Sequence, residues 1–174
     1  MKLYRGMWLE RWESGTGLIR KGTQTVDQLY AGDTRASAGD TLITVGGPSE
    51  GNALSMHSLD SGFYKGAFLS FTASFDVAAF YALKDRWETR DIGIVVETTS
   101  KHLATLGIRA EQNSERYPWE QEFSVVMDKH EAFPIEGIAV VHRINVQQFR
   151  QSAAALNEKW PDVKFPDFLR EAGH

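Results

Sequence analysis

The sequence predicts an α+β domain with a mainly antiparallel or mixed sheet and flanking helices. Three observations predict it. Apolar, β-branched runs of strand length dominate the second half of the chain. Two amphipathic or apolar segments with helical spacing lie between some of them. No repeat or linker divides the 174 residues, of which 42% are hydrophobic, so residues 1–174 read as one domain with an adequate core.

The elements follow in order. KLYRGMW, apolar-rich and near the terminus, reads as a buried first strand. TVDQLY, with Thr25 as cap, reads as a short helix. From Gly32 to Gly62 the chain is rich in Gly, Ser, Asp and Thr, with GGPSEGN at its centre, and reads as a long loop of the functional or mobile kind. GAFLSFTA is a strand, and SFDVAAFYALKDRW a helix capped by Ser74. DIGIVVETT is a strand, and residues 98–116 read as loop. YPWEQEFSVV and GIAVVHRINV are strands, the latter buried. VQQFRQSAAALNEKW is a helix ended by Pro161, and FPDFLREAGH a packed turn of helix.

Composition limits the chemistry. A formal charge of −4 gives no global attraction to polyanions, so a nucleic-acid partner would need a local basic face. With no cysteine, disulfides and thiolate metal sites are excluded. The charged opening MKLYRGMWLERWE has no apolar signal core, and no apolar run reaches membrane-spanning length. A soluble, cytoplasmic chain without a delivery domain of its own is the expectation, with no membrane partner. The five histidines show no HExxH spacing, so no metal is expected. GTGLIRKGT lacks the Gly-Lys-Ser/Thr order of a phosphate loop. His57 falls in the Gly/Ser-rich segment and could touch a ligand there, but a solvated histidine is the first reading.

YPWEQEFSVV carries two acids, Glu120 and Glu122, one residue apart. On a strand they would share a face, with Cα atoms roughly 6.5–7 Å apart. Trp119, Gln121, Phe123 and Val125 would then face a core. Stacked like charges cost stability, and desolvating them raises one pKa. Alone, the pair suits the solvated face of an edge strand, Arg5 a surface cation, Ser70 a satisfied strand hydroxyl and Tyr81 a core residue.

In order along the chain, however, Tyr4-Arg5-Gly6, then Ser70-Phe71-Thr72 with Val77-Ala78 and Tyr81-Ala82, then Glu120-Gln121-Glu122, resemble the motifs of mono-ADP-ribosyltransferases of the Arg-Ser-Glu class, which include many bacterial toxins. The resemblance covers roughly residues 2–126 and is weak between 10 and 62. It departs at Phe71, expected to face away, and at Thr72, which keeps a hydroxyl. It implies the ADP-ribosyltransferase-like fold, two packed mainly antiparallel or mixed sheets with helices, and NAD as co-substrate. It implies that Glu122 bonds the nicotinamide ribose, where a carboxylate stabilises an oxocarbenium-like centre as in glycosidases. Ser70 would orient Glu122, with Thr72 beside it. Arg5 would hold the pyrophosphate or adjacent ribose. Gly6, without Cβ, would lie close to the nicotinamide amide, and Tyr81 would stack on the nicotinamide ring.

The resemblance also assigns Glu120 to the acceptor, since a first Glu accompanies arginine acceptors and a Gln accompanies Asn or guanine. Tyr117 and Trp119 are candidate acceptor contacts, with a core place for Trp119 equally open; an aromatic there could also stack on a flipped-out base. The expected function is a toxin that ADP-ribosylates protein arginine. RNA or DNA bases are the alternative acceptor, and an NAD glycohydrolase or an inactive binding domain the further alternatives. A producing cell would then need an antitoxin or immunity protein.

Overall fold

Strands form where apolar and β-branched residues run together. In a computed structural model, described here for residues 1–31, 43–59, 66–83, 91–112 and 118–163, they are β1 (Lys2–Trp8), β2 (Asp27–Ala31), β3 (Ile43–Ser49), β4 (Phe68–Thr72), β5 (Ile92–Thr99), β6 (Ala110–Gln112), β7 (Glu122–Val126) and β8 (Val140–Asn145). Six of them form one antiparallel sheet in the order β6-β7-β4-β1-β5-β8, while β2 and β3 pair separately. The helices are α1 (Leu9–Glu13), α2 (Glu50–Leu59), α3 (Phe75–Leu83), α4 (Ser100–Thr105) and α5 (Val146–Lys159). The architecture is α+β with an antiparallel sheet.

Several local expectations are corrected. TVDQLY supplies β2 instead of a helix, because pairing with β3 outweighs local propensity. The segment read as one long loop contains β3 and α2. Residues 98–116 supply α4 and β6 before entering positions outside the described residues. β8 is an edge strand paired with β5, and leaves Val140 and Val141 exposed. Residues 84–90 and FPDFLREAGH lie outside the described residues.

Both faces of the sheet are covered, which is why β5 is buried through six consecutive residues. One face packs Leu3, Met7, Leu69, Phe71, Ile94, Val96, Phe123 and Val125 against Leu18, Leu103 and Phe133. The other packs Val95 and Ile144 against α3 and α5. α5 is fixed by a capping box between Asn145 and Gln148. α3, with six buried residues, three of them alanine, lies close on β1 and β5. The closeness requires glycine beneath it. A Cβ on Gly6 would lie 2.8 Å from the Ala82 nitrogen, and one on Gly93 2.6 Å from the Ala82 carbonyl carbon. Helix packing thus gives its own reason for glycine at position 6.

β1 pairs with β5 over its whole length, from Lys2 opposite Thr99 to Trp8 opposite Gly93. Its register pair with β4 is Tyr4 with Thr72. That narrow seam positions the polar residues described next. Gly93→Ala, on the β5 side of α3, is expected to lower unfolding free energy by about 1–3 kcal/mol through overpacking. Urea denaturation checks this, and a wild-type midpoint would show that α3 is free to withdraw.

Candidate functional site

Arg5 follows Tyr4 at the seam, between Leu3 and Met7, which are both buried. Its Nε donates to the carbonyl of Gly17 at 2.9 Å, and Nη1 to the carbonyl of Ser70 at 2.7 Å. Gly17 belongs to a 3-10 turn, Thr16–Leu18. Burial, with Arg11 next in effect, lowers the guanidinium pKa to about 10, while Glu122 opposes the shift. Arg5 therefore remains a cation at neutral pH. It has five N–H donors, more than these two carbonyls use.

Ser70 lies on β4 and Glu122 begins β7, the next strand, where it pairs with Thr72. Glu122 is mostly buried, its side chain 13% exposed. Burial raises its pKa, and Glu120 adds to the rise. Hydrogen bonding from Ser70 and the charge of Arg5 pull it back. The sequence-predicted residues Arg5, Ser70 and Glu122 thus come together from three adjacent strands, β1, β4 and β7.

Glu120 arrives by a different route from the one expected. It ends a 3-10 turn, Pro118–Glu120, and is not on the strand. Gln121 then has φ of 46°, in the left-handed region, which breaks the alternation assumed for YPWEQEFSVV. The two acids are therefore not stacked on one strand face. Thr72 holds the turn: its Oγ1 donates to the Glu120 carbonyl at 2.6 Å and accepts the Ser74 N–H at 3.0 Å. Ala73 N–H donates to the Gln121 carbonyl at 3.1 Å. Phe71 faces away, into the core beside Phe133.

Tyr81, on α3, donates its hydroxyl to Glu120 Oε1 at 2.6 Å. Its ring lies nearly parallel to Trp119, with centroids 6.3 Å apart. Trp119 also meets Phe80 edge-on, so it is packed against the second core while only partly buried. Tyr117 lies outside the described residues.

The expectation that His57 is a solvated histidine is corrected, and its place beside Ser70 and Glu122 was not foreseen. His57 is on α2, 3% exposed, with its ring 5.5 Å from Phe68. Ala53, one turn earlier, is fully buried against Phe68 and Val126, so one face of α2 packs on β4 and β7. Ser49 caps the helix by accepting Asn52 N–H, and Glu50 holds Arg109 through two 3.0 Å bonds. Nε2 of His57 lies 3.0 Å from Ser70 Oγ and 4.0 Å from Glu122 Oε1. Burial, then Lys21 and Arg5, lower its pKa to about 4, so at neutral pH it is uncharged and forms no ion pair with Glu122. The arrangement is not a hydrolase triad. In a triad the carboxylate holds Nδ1 while the serine faces Nε2; here both oxygens face Nε2.

A buried carboxylate, a hydroxyl, a neutral imidazole and a guanidinium thus surround one point, with a second carboxylate on the adjoining turn. Such a set can hold a phosphate-bearing ligand and stabilise a developing cation beside it. Among the described residues, no group of three or more His, Asp and Glu is placed to hold a metal, and no helix is long and apolar enough to cross a membrane. Comparison with protein-family models, curated proteins and solved structures finds no match.

The two buried groups give pH dependences of opposite sign. His57 binds its proton less tightly when folded. It contributes stability that is complete above pH 6.5 and is lost as pH falls toward 4, about 3 kcal/mol in all. Glu122 binds its proton more tightly when folded, so it opposes stability at neutral pH and ceases to do so on acidification through its raised pKa. Denaturation at pH 4–8 is expected to show a shallower slope between pH 6.5 and 4 for His57→Gln. Glu122→Gln is expected to be at least as stable as wild type at pH 7.5; marked destabilisation there would contradict the dominance of burial.

Proposed function

We propose that the chain is an NAD-dependent mono-ADP-ribosyltransferase of the Arg-Ser-Glu class, acting as a toxin on a macromolecular acceptor, first on protein arginine. One observation carries this reading: Arg5, Ser70 and Glu122, from three separate parts of the sequence, converge on adjacent strands around a buried carboxylate. The ADP-ribosyltransferase-like fold belongs to the proposal. In its favour, the sheet has a seam at Tyr4–Thr72, with β6-β7-β4 on one side and β1-β5-β8 on the other, the two halves that two packed sheets would require.

On this reading, Glu122 bonds the 2′-hydroxyl of the nicotinamide ribose. The bond from the anomeric carbon to nicotinamide breaks, and its electron pair leaves with neutral nicotinamide. The carboxylate stabilises the cationic sugar that remains. Arg5, tied down by two backbone carbonyls, offers its remaining N–H donors to the pyrophosphate. The acceptor nitrogen then attacks the anomeric carbon and gives up its proton to Glu120. Tyr81 holds Glu120 by its hydroxyl, and Trp119 lies beside that acid at the acceptor's side. The Tyr81 ring would meet nicotinamide on its other face. Thr72 fixes the turn that sets the spacing between the two acids. A producing cell would need an antitoxin or immunity partner.

Incubation with labelled NAD and cell lysate tests the reading. Protease-sensitive label supports protein as acceptor, nuclease-sensitive label supports RNA or DNA. Nicotinamide release without labelled macromolecule indicates an NAD glycohydrolase, and absence of both cleavage and calorimetric NAD binding indicates an inactive binding domain. Glu122→Gln is expected to reduce NAD cleavage by about 10³-fold or more, and near-normal turnover would sink the assignment. Glu120→Gln is expected to lose transfer while retaining NAD hydrolysis; equal loss of both would argue against a separate acceptor role.

A further inference from the structure

His57 has no place in the three motifs that suggested the function, yet its Nε2 lies 3.0 Å from the Ser70 hydroxyl oxygen. A serine hydroxyl carries one hydrogen. The nitrogen that faces Ser70 Oγ also faces a Glu122 oxygen, which can only accept, at 4.0 Å, so that nitrogen carries its hydrogen and the Ser70 oxygen accepts from its neighbour. That neighbour is His57 Nε2, at 3.0 Å. The direction of the chain then fixes the tautomer: the proton sits on Nε2, and Nδ1 is unprotonated.

We infer that His57 is a positioning residue, whose neutral Nε2–H donates to Ser70 Oγ and so turns the Ser70 hydroxyl onto Glu122. The inference rests on the ADP-ribosyl-transfer reading for its kinetic consequence, but the hydrogen-bond direction is independent of it. Neutrality is part of the device. An imidazolium 4.0 Å from Glu122 would pair with the carboxylate and compete with a cationic sugar. Lys21 and Arg5, the cations that act on His57, and its burial all oppose that charge. α2 presents the ring from a rigid element: Ala53 packs at Phe68 and Val126, and Glu50 is clamped by Arg109 at the start of the helix.

The rival account is that His57 merely fills the interface between α2 and the sheet. A double-mutant cycle separates the two. His57→Ala is expected to lower kcat for NAD cleavage about 10–100-fold, as misplacement of a catalytic group does, with KM for NAD within about twofold of wild type. His57→Gln, which keeps a donor, is expected to restore most of the loss. In a Ser70→Ala background, His57→Ala is expected to cost little more, because the link through which it acts has gone. Additive losses, or no rescue by glutamine, would overturn the inference.

A second readout does not depend on turnover. Nitrogen-15 imidazole shifts at pH 7, with His57 assigned by difference against His57→Gln, are expected to show the Nε2–H tautomer. An Nδ1–H tautomer or an imidazolium would overturn the inference outright. A wild-type protein that leaves NAD intact would end the transferase reading and the kinetic part of this one, while the tautomer would still decide the direction of the bond.

Discussion

The structure depends on how it accommodates the Arg5 guanidinium. Even a partly buried cation is costly unless its donors are met and an opposite charge lies near. Two backbone carbonyls, from Gly17 and Ser70, meet two of its donors. These bonds tie β1, β4 and the 3-10 turn together at the seam, where the strands' own register pair is Tyr4 with Thr72. The opposite charge comes from Glu122 on the far side of β4. The residue that holds the seam together is thus the one whose charge the carboxylate feels, so fold and site share one constraint.

The turn before β7 has a related logic. A regular strand would have stacked Glu120 on Glu122 and left both with the same surroundings. The left-handed Gln121, which costs roughly 1 kcal/mol or more for a residue with a side chain, separates them. Glu122 goes under α2, into contact with Ser70 and His57, while Glu120 goes to Tyr81 beside Trp119. Backbone strain of this kind persists where surrounding bonds over-determine it, and Thr72 and Ala73 supply them here. Two carboxylates in different environments can take different roles. That division suits a reaction with separate donor and acceptor halves.

The parts legible in the sequence were those whose signal is local. β1, β4 and β5 have apolar runs of strand length; α3 has Ser74 ahead of an Ala-rich stretch, and α5 reads as a helix stopped by Pro161. Arg5, Ser70 and Glu122 stood out through order along the chain, since nothing local marks any of them. What was not legible depends on long-range partners. β2 and β3 are strands because they pair with each other. β8 looked buried because its sequence is apolar, but it lies at the edge of the sheet. α2 was hidden in a Gly- and Ser-rich stretch, where Ser49 ahead of Glu50 was the available cap signal. Missing α2 meant missing His57, because the burial of that ring follows from the Ala53 face of the helix docking on Phe68 and Val126.

Burial, Ser70, Glu120 and Arg5 act on the Glu122 carboxyl together. Burial pushes its proton affinity up, and Glu120 adds to the rise. Ser70, through hydrogen bonding, and Arg5, through its field, oppose that rise. These two corrections differ in kind. Any cation would supply a field, but a cation in contact with the carboxylate would also occupy the place of a cationic sugar. Arg5 keeps its guanidinium directed at backbone carbonyls across the seam, and His57, which does face the carboxylate, is kept neutral. The carboxylate is therefore supported by a charge bound to backbone carbonyls and by the dipoles beside it, and no cation is paired with it at the point where a positive charge would form. A stability-optimised core would put an apolar residue at position 122; retaining an acid there trades stability for a field.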